Sequence, residues 1–290
     1  MAVVHHRSAV VRGHAIAYRE AGDPAAPTVV LLHGFPTSSH MYRGLIEDLA
    51  DRYHVLAPDY PGFGASDAPA VTEFNYTFDT LAEIVAELLD GLGATRFALY
   101  IQDYGAPVGL RIASKRPEAV TALIVQNGNA YVEGFTPFSD VLRAFWRDRA
   151  AREAAIRESL RLDATRWQYT HGVPADRLDR VSPDTWTLDQ ALLDRPGNAE
   201  IQLALLHDYQ SNLAAYPAFH EYFRTHRPPT LIVWGRGDEM FGVDGARAYL
   251  RDLPDAELHL LETGHFALET HRAEIAALIH DFLPRALAVA

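Results

Sequence analysis

A chain of 290 residues with 48% hydrophobic content is long enough for one large α/β domain or two smaller ones, and rich enough in apolar side chains for a packed core. Its formal charge of −12 argues against nucleic acid or an anionic membrane surface as the main partner, and the absence of cysteine removes disulfides and thiolate nucleophiles. No stretch approaches the roughly 18 uncharged apolar residues of a membrane span, and no basic segment leads into an apolar core at the N-terminus, so a cytoplasmic protein is expected.

Short apolar runs alternate with helical patterns along the chain. Ala15–Tyr18, Thr28–Leu32, His54–Ala57, Phe97–Ile101, Val120–Val125, Thr230–Trp234 and Leu258–Leu261 read as strands, and this order predicts a mostly parallel sheet. His5 and His6 are expected in a mobile terminus. Between Thr77 and Leu92 the apolar stripe Leu81, Ile84, Val85, Leu88, Leu89 marks a helix lying on the sheet. A second amphipathic stretch runs from Val108 to Lys115, and a last covering helix from Arg272 to Leu283.

The alternation stops between Tyr131 and Arg227, where helical patterns are punctuated by Pro137, Pro174, Pro183, Pro196 and Pro217. The chain thus divides into a first core segment (1–130), an inserted helical cap (131–227) and a second core segment (228–290). Within the cap, Arg143, Arg147, Arg149, Arg152, Arg157 and Arg161 alternate with Asp148, Glu153 and Glu158 at helical spacing. That pattern describes an ion-paired, solvated face rather than a phosphate site.

Three segments at predicted strand ends carry chemistry, because open α/β sheets place their ligands at the carboxyl ends of strands. His33-Gly34-Phe35-Pro36 offers a tight turn whose Phe35 amide can face a developing oxyanion. Gln102-Asp103-Tyr104-Gly105 sits in a strand, turn, helix context typical of a nucleophile elbow, but with a carboxylate where serine is usual. A carboxylate attacks saturated carbon and forms an alkyl ester, so epoxides or alkyl halides are the candidate substrates. The alternative role of Asp103 is a plain helix cap. Finally, Trp234-Gly-Arg-Gly-Asp238 and Thr263-Gly264-His265-Phe266 follow successive strands, giving the chain order nucleophile, acid, histidine. Asn127 also follows a strand, but an amide cannot supply the charge that supports an imidazolium, so Asp238 is the expected acid, with Glu262 its weaker competitor.

With these segments the chain resembles an α/β-hydrolase of the epoxide hydrolase and haloalkane dehalogenase branch. The likeness rests on His33–Pro36, Asp59-Tyr-Pro-Gly-Phe-Gly-Ala-Ser66, Gln102–Gly105 and Gly264–Phe266, and it extends over essentially the whole chain. It implies an eight-stranded, mostly parallel sheet flanked by helices, with a helical cap. It also implies Asp103 as nucleophile, Asp238 and His265 as the water-activating pair, and the amides of Phe35 and Tyr104 as the oxyanion hole, with no cofactor and no metal. Ile101 stands where the elbow usually has its first glycine.

The leaving group decides between readings. Haloalkane dehalogenases typically place a tryptophan after the nucleophile, where this chain has Tyr104, although Trp146, Trp167 or Trp186 in the cap could offer an indole N–H. An epoxide gives an alkoxide, which needs a true acid, and His207-Asp208-Tyr209-Gln210 resembles the tyrosine-bearing end of an epoxide hydrolase cap. Tyr209 is therefore the expected proton donor, with Tyr131, Trp146 and Tyr169 as substrate-binding candidates. The leading expectation is an epoxide hydrolase giving diols from a small hydrophobic epoxide and water, as a monomer or homodimer. A haloalkane dehalogenase is the alternative, and a non-catalytic ligand receptor on the same fold is the alternative of another class.

Overall fold

The computed structural model describes residues 3–288. Eight strands form one sheet: β1 (His5–Val11), β2 (His14–Ala21), β3 (Thr28–Leu32), β4 (His54–Pro58), β5 (Phe97–Gln102), β6 (Val120–Gln126), β7 (Thr230–Gly235) and β8 (Glu257–Leu261). Their spatial order is β1-β2-β4-β3-β5-β6-β7-β8; β2 is antiparallel to both its neighbours and every other pairing is parallel. β1 corrects the expectation of a mobile terminus, since His5 and His6 pair with Glu20 and Arg19. This edge strand escapes a reading by apolar runs because most of its residues are exposed.

β5 lies at the centre of the sheet and is buried along its whole length. Alternate side chains enter opposite layers: Phe97, Leu99 and Ile101 join the cluster under α2 (Phe78–Gly91) and α3 (Gly105–Lys115), while Ala98 and Tyr100 join the cluster under α1 (Arg43–Leu49) and α11 (Ala267–Leu287). Thr77 caps α2 by accepting from the Thr80 amide, and its apolar stripe faces the sheet. α3 begins one turn before Val108 because Pro107 falls in its first turn, where a missing N–H costs nothing.

Between β6 and β7 the chain makes six α-helices, α4 (Asp140–Arg147), α5 (Arg149–Glu158), α6 (Leu162–Thr170), α7 (Pro183–Leu193), α8 (Asn198–Asp208) and α9 (Gln210–His226), with short 3-10 turns before α4 and α7 and no strand. α10 (Val243–Asp252) then separates β7 from β8. The arginine-rich face is ion-paired: Arg143 meets Asp140, Arg149 and Arg157 meet Glu153, and Arg161 meets Glu158. No helix among the described residues is long and apolar enough to cross a membrane.

Candidate active site

At the end of β5 the chain turns so sharply that Asp103 has φ +49°. A non-glycine residue in this region stores strain, and aspartate tolerates it better than most. The turn lifts the carboxylate off the sheet edge and toward the loop after β3. There Phe35 donates its amide to Asp103 Oδ1 at 2.6 Å. Position 34 has to be glycine for this contact, because a Cβ there would lie 2.3 Å from Asp103 Oδ1. Burial pushes the Asp103 carboxyl above its usual range, and the charge of His265 with the amides of Phe35 and Tyr104 holds the rise in check.

The loops after β7 and β8 supply the partners. His265 Nδ1 lies 2.8 Å from Asp238 Oδ2, and His265 Nε2 lies 3.9 Å from Asp103 Oδ2. Asp238 is held by its own loop, its Oδ1 accepting the amides of Met240 (2.8 Å) and Phe241 (3.1 Å). Asn127, at the end of β6 with φ +44°, donates to Asp238 Oδ2 at 2.7 Å and accepts the Gly235 amide at 3.0 Å. It orders the acid rather than acting as one. Burial disfavours a charged His265, but attraction and hydrogen bonding from Asp238, helped by Asp103, outweigh it and leave the imidazole above its ordinary value. Glu262 instead pairs with Arg236 at the exposed surface.

Aromatic side chains roof this group. The Tyr104 ring packs against Phe35, Phe78 and Tyr209, and Tyr209 stacks in parallel with Trp146. The Tyr209 hydroxyl is buried with no hydrogen bond of normal geometry, although it feels both the Tyr216 hydroxyl and the Asp103 charge; burial holds it well above the ordinary phenol range. It therefore keeps its proton. The Tyr104 hydroxyl is likewise buried and unpartnered.

The structure thus brings Asp103, Phe35, Tyr104, Asp238, His265 and Tyr209 together, with Trp146 one ring away. The Trp146 indole N–H is committed to the Leu206 carbonyl at 2.8 Å and is not a free donor. Trp167 stacks between Phe138 and His171, and Trp186 packs beside Tyr169 under the Arg166 guanidinium. Tyr169 stacks on Phe266, next to the histidine, but its hydroxyl donates to Asp189 at 2.5 Å. Tyr131, expected to bind substrate, stacks its ring on His220 and donates its hydroxyl to Asp252 at 2.8 Å. Two buried side chains that the motifs overlook also touch the relay. Gln102 Nε2 lies 2.8 Å from His265 Nε2, and Gln126 donates to the His265 carbonyl at 3.3 Å. The available signal was a glutamine closing each of two largely apolar central strands.

Residues 27–272 match the family model described as the alpha/beta hydrolase fold. The chain belongs to the α/β-hydrolase family. It is 44% identical to the uncharacterized hydrolase YNR064C of Saccharomyces cerevisiae over 93% of this chain and 94% of that protein. It is 28% identical to a haloalkane dehalogenase of Mesorhizobium japonicum over 93% of this chain and 88% of that enzyme. Among solved structures, the haloalkane dehalogenase DatA of Agrobacterium tumefaciens C58 has the same fold, with a TM-score of 0.81 at 22% identity over 98% of this chain and 97% of that one. The protein is a hydrolase of this family, and the eight-stranded, mostly parallel sheet with flanking helices is the family's architecture.

Proposed function

We propose that this hydrolase opens small hydrophobic epoxides to diols through an alkyl ester on Asp103. The observation that carries this reading is the buried Tyr209 hydroxyl, which keeps its proton, has no hydrogen bond of normal geometry, and feels the Tyr216 hydroxyl and the Asp103 charge. A carboxylate nucleophile alone suits epoxides and alkyl halides equally; a proton donor opposite it favours the epoxide.

In the first step an Asp103 carboxylate oxygen bonds to an epoxide carbon as the ring C–O bond breaks, and the freed oxygen takes the Tyr209 proton. The oxygen facing His265 is the one free to attack, because Oδ1 is held at the Phe35 amide. In the second step water gives a proton to His265 Nε2 while its oxygen bonds to Asp103 Cγ. The amides of Phe35 and Tyr104 hold the negative oxygen of that intermediate, a contribution of about 3 kcal/mol per donor. The Cγ–O bond to the alkyl group then breaks, and the departing oxygen takes the proton from His265. The second water proton, released as the carboxylate re-forms, restores Tyr209. Asp238 keeps the ring in the required tautomer and supports its charge. On this reading the helical insertion acts as a cap, and its aromatic side chains exclude bulk water.

Incubation with a panel of epoxides is expected to yield diols, and a single turnover in 18O-water is expected to leave label in the Asp103 carboxyl. Halide release from alkyl halides with no diol formed from any epoxide would overturn the epoxide reading in favour of a dehalogenase. That second reading draws on the Tyr104 hydroxyl, a buried donor that could bind a halide without giving up its proton. A non-catalytic receptor would form no ester at all.

A further inference from the structure

The side chain of Gln102 ends β5 inside the protein, fully buried, with its Nε2 2.8 Å from His265 Nε2 and its Oε1 without any partner. Its register partner across the sheet is Gln126, whose Oε1 accepts from the Tyr100 hydroxyl and whose Nε2 reaches the His265 carbonyl. Gln126 is thereby saturated at both ends. Gln102 is not: one end meets the reactive nitrogen of the base and the other is left bare.

The contact has a definite chemistry. His265 Nδ1 faces the Asp238 carboxylate, which can only accept, so Nδ1 carries the proton and the neutral ring presents a bare lone pair at Nε2. Only a donor fits there, and the Gln102 amide supplies it. Once the ring has taken a proton from water, Nε2 becomes a donor and needs an acceptor. Turning the same amide over brings the orphaned Oε1 to that place, with no movement of the backbone. The charged and titratable groups facing the ring are Asp238 at Nδ1 and Asp103 at 3.9 Å from Nε2; Phe241 and Phe266 cover its remaining sides. At Nε2 the hydrogen-bonding partner is Gln102, while the Asp103 carboxylate stands beyond hydrogen-bonding distance.

We propose that Gln102 is the positioning residue of the base: its amide donates to the bare Nε2 and fixes the ring while the ester forms, yields that lone pair to the attacking water, and turns over to accept from Nε2–H until the departing oxygen takes the proton. The inference rests on the ester mechanism proposed above. It separates the two half-reactions, because Gln102 touches neither the substrate carbon nor the oxyanion.

Single-turnover kinetics with an epoxide substrate tests it. In Gln102→Leu, ester hydrolysis is expected to fall about tenfold or more while alkylation falls by less than about threefold, so that ester accumulates on Asp103. In Gln102→Glu, the carboxylate favours the charged ring, and the acid limb of the hydrolysis step is expected to move to higher pH. A purely structural role would slow both half-reactions together and leave the pH profile in place. Ester hydrolysis within twofold of wild type in the leucine variant, with an unmoved profile, overturns the proposal. Should that variant fail to fold, 15N NMR of histidine-labelled wild type gives a second reading: a hydrogen-bonded Nε2 resonance supports the contact, and that of a free imine nitrogen overturns it. Failure to detect any Asp103 ester in wild type or His265→Ala would instead sink the ester mechanism, while the NMR result on Gln102 stands apart.

Discussion

On the carboxyl edge of the sheet, Asp103, Asp238 and His265 stand on tight turns that follow strands, and backbone amides or neighbouring strand-end side chains fix each one. In the helical insertion, Tyr209, Trp146 and Tyr169 project from helix faces or helix junctions, and other aromatic rings hold them. The first arrangement depends on covalent geometry and hydrogen bonds of fixed direction; the second depends on packing, which tolerates exchange of one ring for another. On the mechanism proposed above, the sheet edge carries the chemistry common to epoxides and halides, and the insertion the choice between them.

The largest expected effect falls on the sheet edge. Asp103→Asn should abolish turnover of epoxides and alkyl halides alike, by on the order of 10^4-fold or more, without loss of fold. Residual activity within tenfold of wild type would break the division at its root. Next, His265→Ala should cut turnover by about 10^3-fold or more and yet leave the first half-reaction, so intact-protein mass spectrometry should find one substrate added at Asp103. Tyr209→Phe sharpens the comparison. Epoxide opening is expected to fall about 10^2-fold, whereas any halide release should change less than about threefold, since no proton is transferred there. Equal losses on both substrates would place Tyr209 with the common machinery.

These expectations also mark how far the sequence could be read. Asp103, His265 and Phe35 were legible because turn chemistry next to a strand end is a local property, written in Gly34, Gly105 and Gly264. Asn127 and Asp238 were each legible at a strand end, but they lie over a hundred residues apart and no local pattern links the two. Gln102 lay beside the nucleophile unread, because its meaning depends on which loop arrives opposite β5. Tyr131 and Tyr169 looked available until the fold brought Asp252 and Asp189 to their hydroxyls. Pairings across the chain, more than residue types, were the missing information.

Asp189 yields the smallest effect. Burial pushes its carboxyl up to about 7, although hydrogen bonds from Tyr169 and Thr37 favour its charged form. Its native value lies above the unfolded one, so the native state binds the extra proton between roughly pH 4 and 7. Stability from this group is therefore fully present below pH 4 and is lost as the pH rises through about 7. Asp189→Asn keeps an acceptor for Tyr169 but cannot titrate. Its stability relative to wild type should rise by roughly 1–3 kcal/mol between pH 5 and 8 in urea unfolding. An unchanged difference would show that the site is wetter than its burial suggests.

The insertion also touches the sheet edge by backbone alone. A Cβ at Gly264 would meet the His171 carbonyl oxygen at 1.9 Å, and one at Gly237 would meet that of Gly172 at 2.5 Å, so the chain just after α6 is pressed on the loops that bear His265 and Asp238. The insertion is thereby seated, backbone against backbone, on the two loops that carry His265 and Asp238.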